Sequence, residues 1–480
     1  MEPNNDYDGS RACLMPPHPE LLANLRQRPG SVIPSEIAAM SPGRASLSAR
    51  TGTARGLNDG TIFPDSDFDP SVPPRFMTRA ARDRAPLRGA IKSVISPYRW
   101  GIVPQLKAQD KRLKLAELQL YLLILLTKIW HLTLYNIRTG SVTEYFSEVS
   151  TNNISLTGEV VGPFRMPRTL RQYANGQSGT AGSAPNARTL AADALAAARG
   201  SIDFAPYDND RNGYVDAFIV VHAGQGAEVT SSDDDIWSLK WVLPRATSVD
   251  GVKVYGFLTI PEDSNIGVCA HELGHLVFGW PDLYDIDSSS EGIGSWCLMA
   301  GGSWGGSPPG VRPCHPSAWC KVSQRWVQVH TPATNQAITL GDVVSHREVY
   351  QLCPGGDTTR KEYFLLENRI SLGFDRSLPG FGLMIWHIDD SQEDNHDETH
   401  YKVALKQADG LNQLALSTAG SGDSGDPFPG RTNNRSFTST TNPNSRSYSG
   451  QFTGISVTNI SNAASSMTMD ITVQQREARL

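Results

Sequence analysis

Apolar residues recur along this chain at two different periods, and the change from one to the other divides it. S-V-T-E-Y-F-S-E-V-S (141–150) reads as a helix, and 186–199 is rich in the strongest helix formers and should back a sheet. I-S-L-T-G-E-V-V-G (154–162) reads as a strand, and A-F-I-V-V-H-A-G (217–224) as a buried one. Val252 to Ile260 alternates as an edge strand does, offering an edge to which an extended peptide can add. It leads into Ile266–Phe278, apolar on nearly every side. His315 to Lys321 reads as a short helix. From about Val327 the period becomes two, in E-Y-F-L-L-E-N-R, G-L-M-I-W-H-I-D, H-Y-K-V-A-L-K-Q-A-D, T-G-I-S-V-T-N-I and M-T-M-D-I-T-V. That run predicts an all-β, sandwich-like region.

The first hundred residues carry little periodicity and much Pro, Arg, Ser and Ala. We expect a largely irregular, pro-segment-like stretch over 1–100, an α+β unit over 101–326 and a β-rich unit over 327–480. The apolar run Leu118–Thr127 is bounded by Glu117 and Lys128 and is half of the roughly twenty residues a membrane-crossing helix needs. The opening residues have neither the basic run nor the apolar stretch of a signal peptide, so a leader would have to lie outside this reading.

Composition narrows the classes. Of 480 residues, 19% are charged, while 43 Gly and 31 Pro favour a loop-rich, partly β protein. A formal charge of −6 carries no basic footprint for nucleic acid. Cys13, Cys269, Cys297, Cys314, Cys320 and Cys353 are not spaced as a zinc ribbon, so disulfides are the expectation.

The candidate chemistry sits in His271-Glu272-Leu273-Gly274-His275. On a helix, positions i and i+4 share a face, so both imidazoles can reach one ion, and Glu272 can reach a water on it. Zinc takes neutral imidazole and lowers the pKa of bound water to about 7. Glu272 would be the general base. Gly279 can end the helix and Pro281 prevents its resumption, which makes Asp282 the candidate third ligand, with Asp285 as competitor. Downstream, Met299 lies in a Gly-rich turn that reads as a Met-turn.

Together, H-E-L-G-H, the tail P-D-L-Y-D and the Met299 turn resemble the immune inhibitor A family of secreted zinc metalloproteases. The glycine after the second histidine stands one residue later here than in the family pattern. The resemblance covers roughly 140–475. It implies a zincin, metzincin-like catalytic domain with a Met-turn, zinc on His271, His275 and Asp282, and Glu272 as the catalytic residue. It implies an extracellular zymogen, expected to be monomeric, cutting protein or peptide substrates as an endopeptidase. The alternative is an inactive adhesion or binding protein that keeps the fold.

Two further features bear on metal. Asp208, Asp210, Asn212 and Asp216, with the carbonyl of Tyr214, follow the ligand order of a calcium loop up to its last position, which is Ile219. The stretch around Cys13 is read as a mobile tail. Its alternative is a latency device, with Cys13 or His18 on the zinc's open position. His222 and His315 are read as structural.

Overall fold

The computed structural model describes residues 12–21, 121–122, 140–416 and 420–474. Along the chain run β1 (Cys13–Leu14), β2 (Tyr121–Leu122), α1 (Val142–Val149), β3 (Phe164–Arg165), α2 (Leu170–Ala174), α3 (Ala187–Ala198), β4 (Ile219–His222), α4 (Ala227–Thr230), β5 (Leu239–Val249), β6 (Val252–Pro261), α5 (Ile266–Phe278) and α6 (Ala318–Ser323). Strands β7 (Gln328–His330), β8 (Gln336–Gly341), β9 (Glu348–Leu352), β10 (Glu362–Arg369), β11 (Gly382–Asp389), β12 (Val403–Leu405), β13 (Ile455–Thr458) and β14 (Ser466–Val473) follow. The expected change of period thus marks a real change from mixed α/β to strands.

Local chemistry explains the helices. Ser141 and Glu144 close a capping box at the start of α1, and Val142, Tyr145, Phe146 and Val149 turn one face inward. Asn186 caps α3 in the same way. Nearly every residue of α5 is buried, because α1, the β5–β6 hairpin and the turn after Met299 surround it.

The first sheet runs β1-β5-β6-β4. Strands β5 and β6 form a hairpin closed by Asp250 and Gly251, both at positive φ, the two-residue turn whose twist suits antiparallel strands. Strand β4 pairs parallel to β6 on its other side. This corrects the edge-strand expectation for Val252–Ile260: β6 lies inside the sheet, and β5, bordered only by the short β1, is the edge. The expected strand over 154–162 is not formed either. Ile154 is buried but Val160 is 43% exposed, and the segment is irregular up to the β2–β3 pair at Phe164.

Two more sheets, ordered β12-β11-β10-β9-β7 and β13-β14-β8, complete the fold. Alternation places Phe364, Leu366, Leu383 and Ile385 against Ile338, Leu340, Met467 and Ile471 of the three-stranded sheet. The other face, with Leu365, Met384, Trp386 and Ile388, joins the core around α5. Burial on both faces explains why β10 and β11 read as continuous apolar runs.

Buried charges tie these layers. Lys321 Nζ on α6 lies 2.6 Å from Glu367 Oε1 on β10, both out of solvent, and the indole of Trp386 donates to the same carboxylate. Arg369 pairs with Asp375 and donates to the carbonyl of Trp296.

None of the six cysteines is in a disulfide, against expectation. All but Cys13 are buried, at separate points of the core or hydrogen-bonded as thiols. Cys297 Sγ accepts the amide N–H groups of Met299 and Ser317, and Ser317 Oγ donates to Cys320. Among the described residues no helix is long and apolar enough to cross a membrane.

Candidate metal centre

Helix α5 carries His271, Glu272 and His275 one turn apart and fully inside the protein. Gly279, in the left-handed conformation, ends the helix, and the N–H groups of Gly279 and Trp280 return to the carbonyls of His275 and Gly274. That wide closing turn absorbs the extra residue before the glycine. The chain then doubles back and brings Asp282 to the imidazoles. Asp282 Oδ1 is 3.2 Å from His271 Nε2 and 3.1 Å from His275 Nε2, and the two ring nitrogens are 3.1 Å apart.

These three atoms cannot satisfy one another. His271 Nδ1 faces the carbonyl of Leu298 at 2.9 Å, and His275 Nδ1 that of Trp280 at 2.6 Å. A carbonyl only accepts, so each Nδ1 carries a proton, and in the neutral form that zinc takes each ring turns a lone pair on Nε2 toward the other and toward the carboxylate. Three acceptors converge with no proton between them. Four tetrahedral ligands at about 2.0 Å from zinc lie about 3.3 Å apart, close to the triangle observed. Burial lowers the pKa of His275, partly offset by Asp282. For Asp282, burial is outweighed by the two imidazoles, which hold its carboxyl below the usual range.

Glu272 supplies a second sign that the site fits a cation. Its side chain is fully buried and neither carboxylate oxygen has a hydrogen-bond partner. Burial first, then the charges of Asp282 and Cys13, push its pKa well above the ordinary carboxylate range. A neighbouring cation reverses that shift.

The supports of the site are remote in sequence. Met299 is fully buried under Gly274, where a Cβ would fall within the radius of Met299 Sδ and 3.1 Å from its Cε. The amide of Leu283 donates to the carbonyl of Met299 at 2.7 Å, locking the Asp282 turn to the Met299 turn. Asn395 Nδ2 adds bonds to the carbonyls of Leu283 and Val403.

Asp285, the competing ligand, is not with the histidines. Its carboxylate accepts from Ser289 Oγ and the amide of Ser290, and it groups with Asp287 and His396. In the 208–216 loop, Asp208 and Asp210 accept the amides of Asn212 and Gly213, Tyr214 N–H goes to Asn212, and Asp216 takes Asn209. Burial raises Asp216 to about 6. His222 is buried against the carbonyl of Ala223, and His315 pairs with Glu148, as structural histidines do.

Sequence reasoning missed the donors around the cleft. Tyr284 Oη, Trp237 Nε1 and Trp304 Nε1 all donate to main-chain carbonyls of Leu14, Met15 and Pro16. A tryptophan or tyrosine in a core-like stretch gives no hint of where its polar end will point. Tyr284, two residues after Asp282, was the one with a positional clue.

Residues 131–331 match the profile of the immune inhibitor A peptidase M6 catalytic domain. The pre-pro-metalloprotease PrtV of Vibrio cholerae is 29% identical over 234 residues, 41% of this chain and 25% of that protein. Immune inhibitor A of Bacillus thuringiensis subsp. alesti is 30% identical over 203 residues, 35% of this chain and 29% of that protein. The chain therefore spans about a quarter of the length of these curated relatives. The matched residues hold the histidine helix, the returning Asp282 and the Met299 turn, and this part of the chain is an immune inhibitor A M6 peptidase catalytic domain by sequence.

Proposed function

We propose that the chain is a secreted, zinc-dependent endopeptidase in which His271, His275 and Asp282 hold the metal and Glu272 is the general base. The observation that carries this reading is the convergence of three lone-pair atoms beside an unpartnered, buried Glu272. When bound there, zinc supplies a Lewis acid that polarises the scissile carbonyl and acidifies water. Glu272 takes the proton of the attacking water and hands it to the leaving amine. His271 and His275 are held in the required tautomer by the carbonyls of Leu298 and Trp280. Met299 under Gly274 supports the metzincin-like turn. The edge of β5 receives an extended protein substrate by strand addition, which favours cutting within chains over trimming ends. A calcium ion at Asp208, Asp210, Asn212, Tyr214 and Asp216 would have to displace the hydrogen bonds that now close that loop.

Metal analysis of the purified chain, with casein hydrolysis measured after limited trypsin treatment and trypsin inhibition, tests this. One zinc per chain and chelator-sensitive cleavage are expected. Glu272→Ala should keep the zinc and lose about 10²-fold or more of the activity. Asp282→Ala should lose the metal and Asp285→Ala retain it. Zinc binding without cleavage would make the chain a binding protein that keeps the fold.

A further inference from the structure

The segment 12–18 does not trail away from the molecule. It adds to the edge of the first sheet with residues 14–17 buried, and Cys13 lies beside two of the proposed ligands, His275 and Asp282. Cys13 and Leu14 form β1, antiparallel to Lys240 and Leu239 on the edge strand β5. The amide of Met15 continues the ladder to the carbonyl of Ser238 at 3.0 Å, and that of His18 reaches the carbonyl of Glu228 at 2.8 Å. Three side chains from separate walls hold its carbonyls: Tyr284 Oη on Leu14 at 2.8 Å, Trp237 Nε1 on Met15 at 2.7 Å and Trp304 Nε1 on Pro16 at 2.9 Å. The ring of His18 packs edge-on against Trp304, so that histidine faces away from the role considered for it. Met15 is completely buried. Cys13 Sγ, a ring nitrogen of His275 and a carboxylate oxygen of Asp282 lie within 4.8 Å of one another.

From this juxtaposition we propose that Cys13 is the fourth ligand of the metal in the uncleaved chain, and that 12–18 is an inhibitory pseudosubstrate. The inference rests on the zinc reading of His271, His275 and Asp282. Thiolate is a strong zinc ligand, and a tetrahedral site puts sulfur and nitrogen about 3.5 Å apart, inside the 4.8 Å within which the atoms of Cys13, His275 and Asp282 lie. On ligation the Cys13 thiol gives its proton to solvent, and on release it takes one back. No redox step is involved. While bound, the thiolate takes the position that water needs, and the strand takes the edge that substrate needs. A two-residue strand is a weak hold in itself. The indole and phenol donors, each matched to a carbonyl, make it specific, and the same donors meet the substrate main chain once the segment leaves.

The test uses the full chain, stripped with a chelator and reloaded with cobalt(II), as wild type, Cys13→Ser and Trp237→Phe. Wild type should show a near-ultraviolet thiolate-to-cobalt charge-transfer band that Cys13→Ser lacks. Mass spectrometry should find Cys13 protected from iodoacetamide in the metal-loaded protein and modified after metal removal, with faster modification in Trp237→Phe. Reloaded with zinc, the intact Cys13→Ser chain should cleave casein at least tenfold faster than intact wild type. Cobalt bound with no thiolate band, and equal alkylation with and without metal, would overturn the latency proposal and leave the metal centre standing. A chain that binds no cobalt at all would overturn both.

Discussion

Gly274 stands between the two histidines proposed as ligands, and its role is set by what lies beneath it. Replacing it with alanine builds a Cβ inside the radius of Met299 Sδ, with Met299 Cε and Trp280 Cε3 each 3.1 Å away. In a free helix the change would stabilise by about 1 kcal/mol, because alanine loses less backbone freedom. Here Met299 is fully buried and cannot swing out, so overpacking costs roughly 1–3 kcal/mol. We expect Gly274→Ala to be destabilised by up to about 2 kcal/mol and to hold zinc more weakly, since Met299 and the turn behind it position Leu298, the partner of His271. Met299→Ala alone should cost about 2–5 kcal/mol through the cavity it leaves. The double variant should be less destabilised than the sum, because the new methyl enters that cavity, with a coupling of about 1 kcal/mol or more. Urea denaturation followed by circular dichroism, with zinc retention measured by competition against a chelator, gives both quantities. Gly274→Ala more stable than wild type by the propensity gain, with unchanged zinc retention and additive behaviour with Met299→Ala, would refute the packing argument.

Three other outcomes follow from buried groups. Removing one member of the Lys321–Glu367 pair, as in Lys321→Met, should cost about 3–5 kcal/mol in a denaturation experiment, while Lys321→Met with Glu367→Leu should recover much of it. His387 is stacked between Phe364 and Tyr448, and burial lowers its pKa from 6.5 to about 4 despite the Glu362 carboxylate. The unfolded chain then binds the extra proton first, so this group's contribution is intact above pH 6.5 and falls by about 3 kcal/mol as pH drops toward 4. His387→Gln should flatten the thermal melting point between pH 7 and 5 relative to wild type, and an unchanged slope would contradict the assignment. Asn395→Ala removes the amide that holds the Leu283 carbonyl, and chelator competition should show zinc retention about tenfold weaker or worse.

What could be read from sequence was what is local. The i, i+4 histidines, the glycine that ends α5 and the return to Asp282 depend on a few neighbouring residues, and all three geometries are present. The strands after Val327 were legible because β13 and β14 alternate, while β10 and β11, buried on both faces, show as apolar runs of strand length. The edge of the first sheet was misassigned because the pattern of Val252–Pro261 does not say whether it has a neighbour on one side, Leu239–Val249, or on both. The Asp250-Gly251 pair between them marked the hairpin, but only the packing of β4 decides which strand lies inside. The place of Cys13 depends on pairing with residues more than two hundred positions away, which no local pattern encodes. The disulfide expectation failed for a related reason: spacing does not show how sulfurs are placed, and Cys297 and Cys320, which do approach each other, do so as thiols in a buried hydrogen-bond group with Ser317.

The inner face of the five-stranded sheet has a practical bearing on how this protein can be handled. Leu365, Met384, Trp386 and Ile388 lie beyond residue 331, where the matched family region stops, yet they cover the same apolar interior as the helix with the histidines. A shortened version ending at that point would lose this face and leave the apolar surface it covers, and the ammonium of Lys321 without Glu367, open to water. Anyone seeking a minimal soluble fragment should carry the cut past β14, and treat clumping of shorter pieces as the signature of a severed interior.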